Sequence, residues 1–246
     1  MLIAALLLAS LLTDDPPSKL MAGDDAFARI EYPAAVEFYE SAFHEHPDDP
    51  DLLWRLARAF VCMGEVLEGD ERASLCKKAE SYALQCIARD STKAEGHTWR
   101  AAALGYIALD AGKSKQVNLS HELVKEVDAA LRHNPNDDAA YSIKGSFYRA
   151  LGNVSWFQRQ LAALFIGRVP KGGYEEAEVA LKRAMEIAPD VMRHHYELGV
   201  LYVDMDRRAE ARKALETAAR LPVRVAIDRP RLEKIKKLLA EWPDNE

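Results

Sequence analysis

The chain has 246 residues, 49% of them hydrophobic and 29% charged, with only 12 Gly and 11 Pro; this excludes a disordered, collagen-like or membrane-embedded chain and suits one extended core. The formal charge of -6 argues against a dedicated nucleic-acid binder, whose domain is usually net basic. Cys62, Cys76 and Cys86 form no C-x-x-C pair and leave one thiol over in any pairing, so they are expected as small core residues and not as a disulfide framework.

Met1 to Leu12 is apolar except for Ser10, and Thr13-Asp14-Asp15-Pro16-Pro17 stops the run. It is too short to span a bilayer and matches a secretory h-region, although no Lys or Arg precedes it and no clear A-x-A box follows. Residues 1–18 are therefore expected as an apolar leader, a signal peptide or membrane-proximal segment, with a first core helix or a misplaced start as the alternative. A signal peptide implies an exported or periplasmic chain that is no integral membrane protein once the leader is removed, and the alternative a cytoplasmic one.

The remainder, 19–246, reads as one superhelical domain of helix pairs. The first pair runs from Leu20 to Pro47, with Gly23 at the small position of its first helix and Ala35, Tyr39 and Ala42 on its second, which Pro33 opens. Trp54, Leu56, Ala57 and Phe60 begin a second pair, completed by Ala79, Ala83 and Cys86. Trp99, Ala103, Leu104 and Gly105 begin a third, completed by Leu123, Val127, Ala130 and Pro135. Tyr141, Gly145 and Tyr148 open the fourth, but an apolar helix over 153–167 intervenes, its only charge before Gly167 being Arg159. So apolar a helix is expected to be buried on several sides or to face a hydrophobic partner. A loop over Gly167 to Gly173 leads to Ala177, Leu181, Ala184 and Pro189, then to Leu198, Gly199, Tyr202, Ala211, Leu215 and Ala218. Asp228 and Pro230 start a last helix, 229–242, whose apolar face should cap the stack and whose other face carries Arg229, Arg231, Lys234, Lys236 and Lys237.

The spacing is of the tetratricopeptide type, small-x3-large-x2-small ending in Pro on one helix and Leu-Gly-x2-Tyr on the next, with a usual period of about 34 residues. The positions equivalent to that Pro are Pro47, Ser91, Pro135, Pro189 and Pro222, at intervals of 44, 44, 54 and 33 residues. Only the last interval is regular. The expected fold is all-α: a right-handed α-solenoid of about five helix pairs with an inserted helix and a C-terminal capping helix.

Four segments carry a family resemblance: Trp54-Arg55-Leu56-Ala57-Arg58-Ala59; Trp99; Asn134-Pro135-Asn136-Asp137; and the run from Ser155-Trp156 to Phe165-Ile166-Gly167, followed by Pro170 and Tyr174-Glu175-Glu176-Ala177. From about Gly23 to Pro222 the chain resembles the regulators of microtubule dynamics, a divergent tetratricopeptide-like group, and its short leader is of bacterial type. The resemblance implies the helical-repeat fold and its cavity. For eukaryotic members it implies microtubule association, and for one anchored relative phospholipid binding through the repeat domain; a bacterial chain has no such microtubules to bind.

No catalytic constellation stands out. The Gly167 to Gly173 loop lacks the Gly-Lys-Ser/Thr ending of a phosphate-binding loop. His44, His46, His194 and His195 lack the i, i+4 spacing of a helical metal pair and are expected as solvated surface residues, so neither metal nor cofactor is expected. Asp14-Asp15, Asp24-Asp25 and Asp137-Asp138 are expected at helix starts, where they favour the dipole. First helices of such pairs line a concave groove, here carrying Arg55, Arg58, Trp99, Arg100, Tyr141, Ser146, Arg149 and Tyr196. Arginine with aromatics suits carboxylates, phosphates and peptide backbones. Trp54 and Trp99 are expected first as packing residues between repeats, and for Arg55 and Arg58 a structural ion pair is as open as ligand contact. The functional expectation is a non-enzymatic scaffold binding a protein or peptide in its groove. The alternative is a carrier of lipid or another amphiphile, possible phospholipid included, using the inserted helix through Trp156, Phe157, Arg159 and Phe165.

Overall fold

The computed structural model describes residues 18–242, all of its regular structure being helical. The leader expected over 1–18 lies outside the described residues except for Ser18. Five antiparallel pairs stack in chain order: α1 (Lys19–Ala28) with α2 (Tyr32–Glu45), α3 (Pro50–Gly64) with α4 (Gly69–Arg89), α5 (Ala94–Leu109) with α6 (Lys113–His133), α7 (Asp138–Gly152) with α9 (Tyr174–Ile187), and α10 (Met192–Asp204) with α11 (Arg208–Arg220). The inserted helix α8 is Trp156–Phe165, and α12 (Asp228–Ala240) packs on α10 and α11 as the cap. The cap begins and ends slightly before the expected 229–242, yet Trp242 still packs against its core.

Local chemistry sets these boundaries. Ser18, Asp49 and Asp137 each accept a hydrogen bond from a backbone N–H of the first turn that they open, and Pro33 and Pro50 occupy early positions where no N–H is needed. Within each pair the second helix turns a ridge of small residues inward, as with Ala79, Ala83 and Cys86 on α4 and Ala211, Ala214 and Ala218 on α11, all buried. The three thiols are free and buried; burial pushes those of Cys76 and Cys86 up to about 12, so they pack as inert small side chains.

In the first, fourth and fifth pairs a glycine of the first helix fixes the depth of approach. A Cβ at Gly145 would lie 2.4 Å from Leu181 Cγ, and one at Gly199 2.7 Å from Leu215 Cγ. Gly23 meets Tyr39 and Gly199 meets Leu215 across 16 positions, whereas Gly145 meets Leu181 across 36. The fourth pair thus closes as the others do, with 20 extra residues looped out between its helices.

Of the two expectations for the inserted helix, that closure overturns burial on several sides and leaves a hydrophobic partner. α7 and α9 already cover one another, so α8 has no apolar surface left to bury against: Phe157 is 68% exposed, Leu164 77% and Phe165 78%. Three smaller expectations also change. Asp24 and Asp25 lie within α1, not at its start. Arg231 is buried in an ion pair with Asp228, Nη1 to Oδ1 3.0 Å, and does not belong to the basic outer face of α12. His194 and His195 are buried, His194 Nε2 lying 2.9 Å from Asp138 Oδ2 and His195 Nε2 2.7 Å from the Pro189 carbonyl, while His44 and His46 are exposed as expected.

Gly145→Ala should destabilise the chain by about 1–3 kcal/mol in chemical denaturation, because Leu181 is fully enclosed and must shift. At Gly105 a Cβ would make only an ordinary 3.5 Å contact with Leu123, so Gly105→Ala should be neutral or stabilising by up to about 1 kcal/mol through helix propensity.

Candidate functional site: the inner face of the stack

The first helices α3, α5, α7 and α10 each pack against the next and form the inner face. Arg193 on α10 reaches across it to Glu65, the C-cap residue of α3, with Nη2 donating to Oε2 at 2.8 Å between residues 128 positions apart. Tyr106 of α5 donates to the same oxygen at 2.8 Å. The Glu65 side chain is fully buried, and burial beside that carboxylate pushes the Tyr106 hydroxyl well above its usual range. Farther along, the Ala226 N–H, just before α12, donates at 3.0 Å to the Tyr32 hydroxyl at the start of α2, 194 positions away. The stack therefore curls until its last elements touch its first.

The groove residues named from the sequence fall into three groups. Arg55 and Arg58 join the first two pairs. Arg55 Nε donates to both carboxylate oxygens of Asp24, at 2.9 and 3.1 Å, and its guanidinium lies 4.3 Å from the Trp54 ring centroid. Arg58 lies 3.8 Å from the Phe27 centroid and 3.5 Å from Asp24 Oδ1. Although burial alone would raise the Asp24 pKa, hydrogen bonds from Arg55 and Tyr39 hold it below the usual carboxylate range. Trp99 packs, half-buried, on the core of the first three pairs.

Arg100 points to its own second helix, with Nη2 2.8 Å from Glu122 Oε2 and Nη1 on Glu126 Oε1. Glu126 is buried and also takes His97 Nδ1 at 2.5 Å, while His97 Nε2 lies 3.1 Å from the Ser91 carbonyl.

Ser146, Arg149 and Tyr196 form the third group, on α7 and α10. Arg149 Nη1 donates to Asp204 Oδ2 at 2.9 Å, but its buried Nε has no partner among the described residues. Glu197 Oε2 is likewise buried, 3.8 Å from Arg149 Nη2 and too far for a hydrogen bond. Half-buried Ser146 is one turn from Arg149 on α7, and half-buried Tyr196 packs on the last core cluster with its ring 5.6 Å from the Arg231 guanidinium.

Of the residues named on the inserted helix, Phe157 and Phe165 are exposed, and the Trp156 side chain lies outside what is described. Arg159 faces the body of the protein. It donates to the carbonyls of Leu151, Val154, Pro170 and Gly172, tying both ends of the hairpin together. Glu65, Arg193, Tyr106 and Tyr32 were not identified from the sequence. Glu65 is the lone acid in the apolar run from Phe60 to Leu67, a signal that something buried must meet it, though not what.

Among the described residues, no group of His, Cys, Asp and Glu could hold a metal, and no helix is long and apolar enough to cross a membrane. The family model described as Regulator of microtubule dynamics protein 1-3 matches residues 21–242. Regulator of microtubule dynamics protein 2 of Homo sapiens is 24% identical over 194 residues, 78% of this chain and 47% of its own length. Protein 1 of Caenorhabditis elegans is 24% identical over 216 residues, 88% of this chain and 96% of its own. The chain thus spans about half the length of the human relative. A thermophilic TPR protein of Thermus thermophilus shares the fold, with a TM-score of 0.67 at 22% identity over 89% of this chain and 97% of that one. The fold is of the helical-repeat kind.

The His97 contacts make stability depend on pH. Both ring nitrogens face acceptors, and the hydrogen bond to Glu126 raises the pKa above 6.5 against the opposing charge of Arg100, with the exposed His133 ring stacked alongside. A raised pKa gives stabilisation that is complete below the unfolded value of about 6.5 and is lost as pH climbs through the folded value. The melting temperature of the wild type should exceed that of His97→Gln at acid pH, and the gap should narrow as pH rises; a gap independent of pH would contradict the assignment.

Proposed function

The chain belongs to the regulator of microtubule dynamics family, and on that footing we propose that it is a non-enzymatic scaffold holding an extended segment of a protein partner against Ser146, Arg149 and Tyr196. One observation carries this reading: Arg149 Nε and Glu197 Oε2 are buried without hydrogen-bond partners on the inner face. Such atoms carry an unmet desolvation penalty of about 1–3 kcal/mol each, which a peptide N–H and carbonyl would relieve once the two side chains turn toward the groove. Arg58 Nε and Arg100 Nε are also buried without partners, but their guanidinium groups, like that of Arg55, lie against carboxylates that are hydrogen-bonded. Arg149, by contrast, faces in Glu197 an acid that itself has an unpartnered oxygen. The part of Arg55, Arg58 and Arg100 in the proposal is to hold the scaffold in shape. The relatives' shared name refers to microtubule dynamics, and what carries over to this chain is the capacity to hold a partner.

A second reading, carriage of a lipid or another amphiphile by α8, draws on the apolar side chains of that helix. A carrier encloses its cargo, whereas Phe157, Leu164 and Phe165 stand open to solvent; this favours contact with a surface over enclosure.

Ser146→Trp would fill the patch while leaving the Arg149–Asp204 pair in place. Cross-linking in cells followed by quantitative mass spectrometry should show the wild-type partner set reduced by about tenfold or more in this variant, at unchanged thermal stability. An unchanged partner set would remove the inner-face assignment.

A further inference from the structure

α8 is an amphipathic helix with nothing on its apolar side. At 3.6 residues per turn, Phe157, Leu161, Leu164 and Phe165 fall within roughly a third of the circumference, and Arg159 lies on the opposite side. All four are exposed, by 68, 47, 77 and 78%. The helix is nevertheless held firmly. A Ser155–Gln158 capping box closes its N-terminus, and Arg159 fastens the polar side to four backbone carbonyls on either flank.

The electrostatics of the hairpin are one-sided. No Asp or Glu occurs between Asp138 and Glu175, and exposed Arg168 and Lys171 follow the helix with no ion pair to any described residue. The hairpin loop rests on α6, where His121 Nε2 meets the Arg168 carbonyl at 2.8 Å and Gly167 approaches Val117. One turn before Val117, the same helix begins with exposed Lys113 and Lys115. The apolar ridge carries a basic flank, and the acids nearest to the hairpin are already engaged, Glu122 with Arg100 and Glu176 with the Gly173 N–H. Such a ridge matches an anionic lipid interface, where the apolar side chains sink to the level of the acyl boundary and the cations meet headgroup phosphates and carboxylates.

We propose that the α8 hairpin is a membrane-docking ridge through which the chain sits on anionic lipid surfaces, leaving the stacked pairs in water. This is surface insertion of a protein side chain ridge, independent of the peptide reading for the inner face.

The test is flotation of the full chain with two kinds of vesicle, phosphatidylcholine alone and phosphatidylcholine with phosphatidylserine in equal parts. The wild type should float with the anionic vesicles at least about tenfold more than with the neutral ones, and less so as salt rises. Two double variants, Leu164→Asp with Phe165→Asp and Arg168→Glu with Lys171→Glu, should each lose about tenfold in anionic binding. Both change exposed side chains, so circular dichroism melts should match the wild type. Equal flotation with both vesicles, no flotation with either, or unchanged flotation of the two variants would overturn the proposal. Ser146→Trp should float like the wild type whether or not the inner face binds a peptide.

Discussion

The ion pair between Glu65 and Arg193 is the contact on which the shape of this molecule depends. It joins the second helix pair to the fifth, with Tyr106 of the third donating to the same carboxylate oxygen. A repeat stack is otherwise built from neighbour contacts alone, each unit leaning on the next. Buried charges cost several kcal/mol to desolvate, so such a pair adds little net stability over a well-packed apolar substitute, whereas losing one partner costs about 3–5 kcal/mol. Its effect is therefore on geometry: with the Tyr32 hydroxyl receiving the Ala226 N–H, it selects a curled stack over an open one. Curling places the last unit against the first and sets how much of the inner face a partner can reach.

The inserted hairpin obeys a complementary constraint. The fourth pair seats Leu181 against Gly145, so the apolar helix between its members cannot join the core. Arg159 is what keeps it from becoming a loose flap, its guanidinium replacing the tertiary packing that α8 lacks with hydrogen bonds to main-chain carbonyls. Two surfaces of different kind result, a half-buried polar patch inside and an apolar ridge outside. The scaffold and membrane-docking readings use them separately.

Much of the fold is legible in the sequence because it rests on local rules. The small-residue ridges, Pro33, the Asp137 cap, the looped-out helix and the terminal cap follow from spacing and residue type, and even the irregular intervals of the Pro-equivalent positions announce where the extra residues sit. The site was less legible, for a physical reason. Arg55, Arg58 and Arg100 look from sequence like free cations in a groove, but a cation's partner is set by tertiary approach: Asp24 lies 31 positions from Arg55, and Glu126 26 from Arg100. Likewise, the apolarity of α8 is visible in its composition, while its exposure depends on α7 and α9 closing without it. No local pattern announces that Glu65 will meet Arg193.

The curled stack is tested most directly by the distance between its ends. Spin labels on exposed Glu37 of α2 and Lys234 of α12, attached through introduced cysteines while the three buried native thiols stay unlabelled, report that distance by pulsed electron spin resonance. The account predicts one narrow distribution in the wild type and a longer, broader one once Arg193→Met removes the cross-stack pair. A broad wild-type distribution, or one that Arg193→Met leaves unchanged, would contradict it.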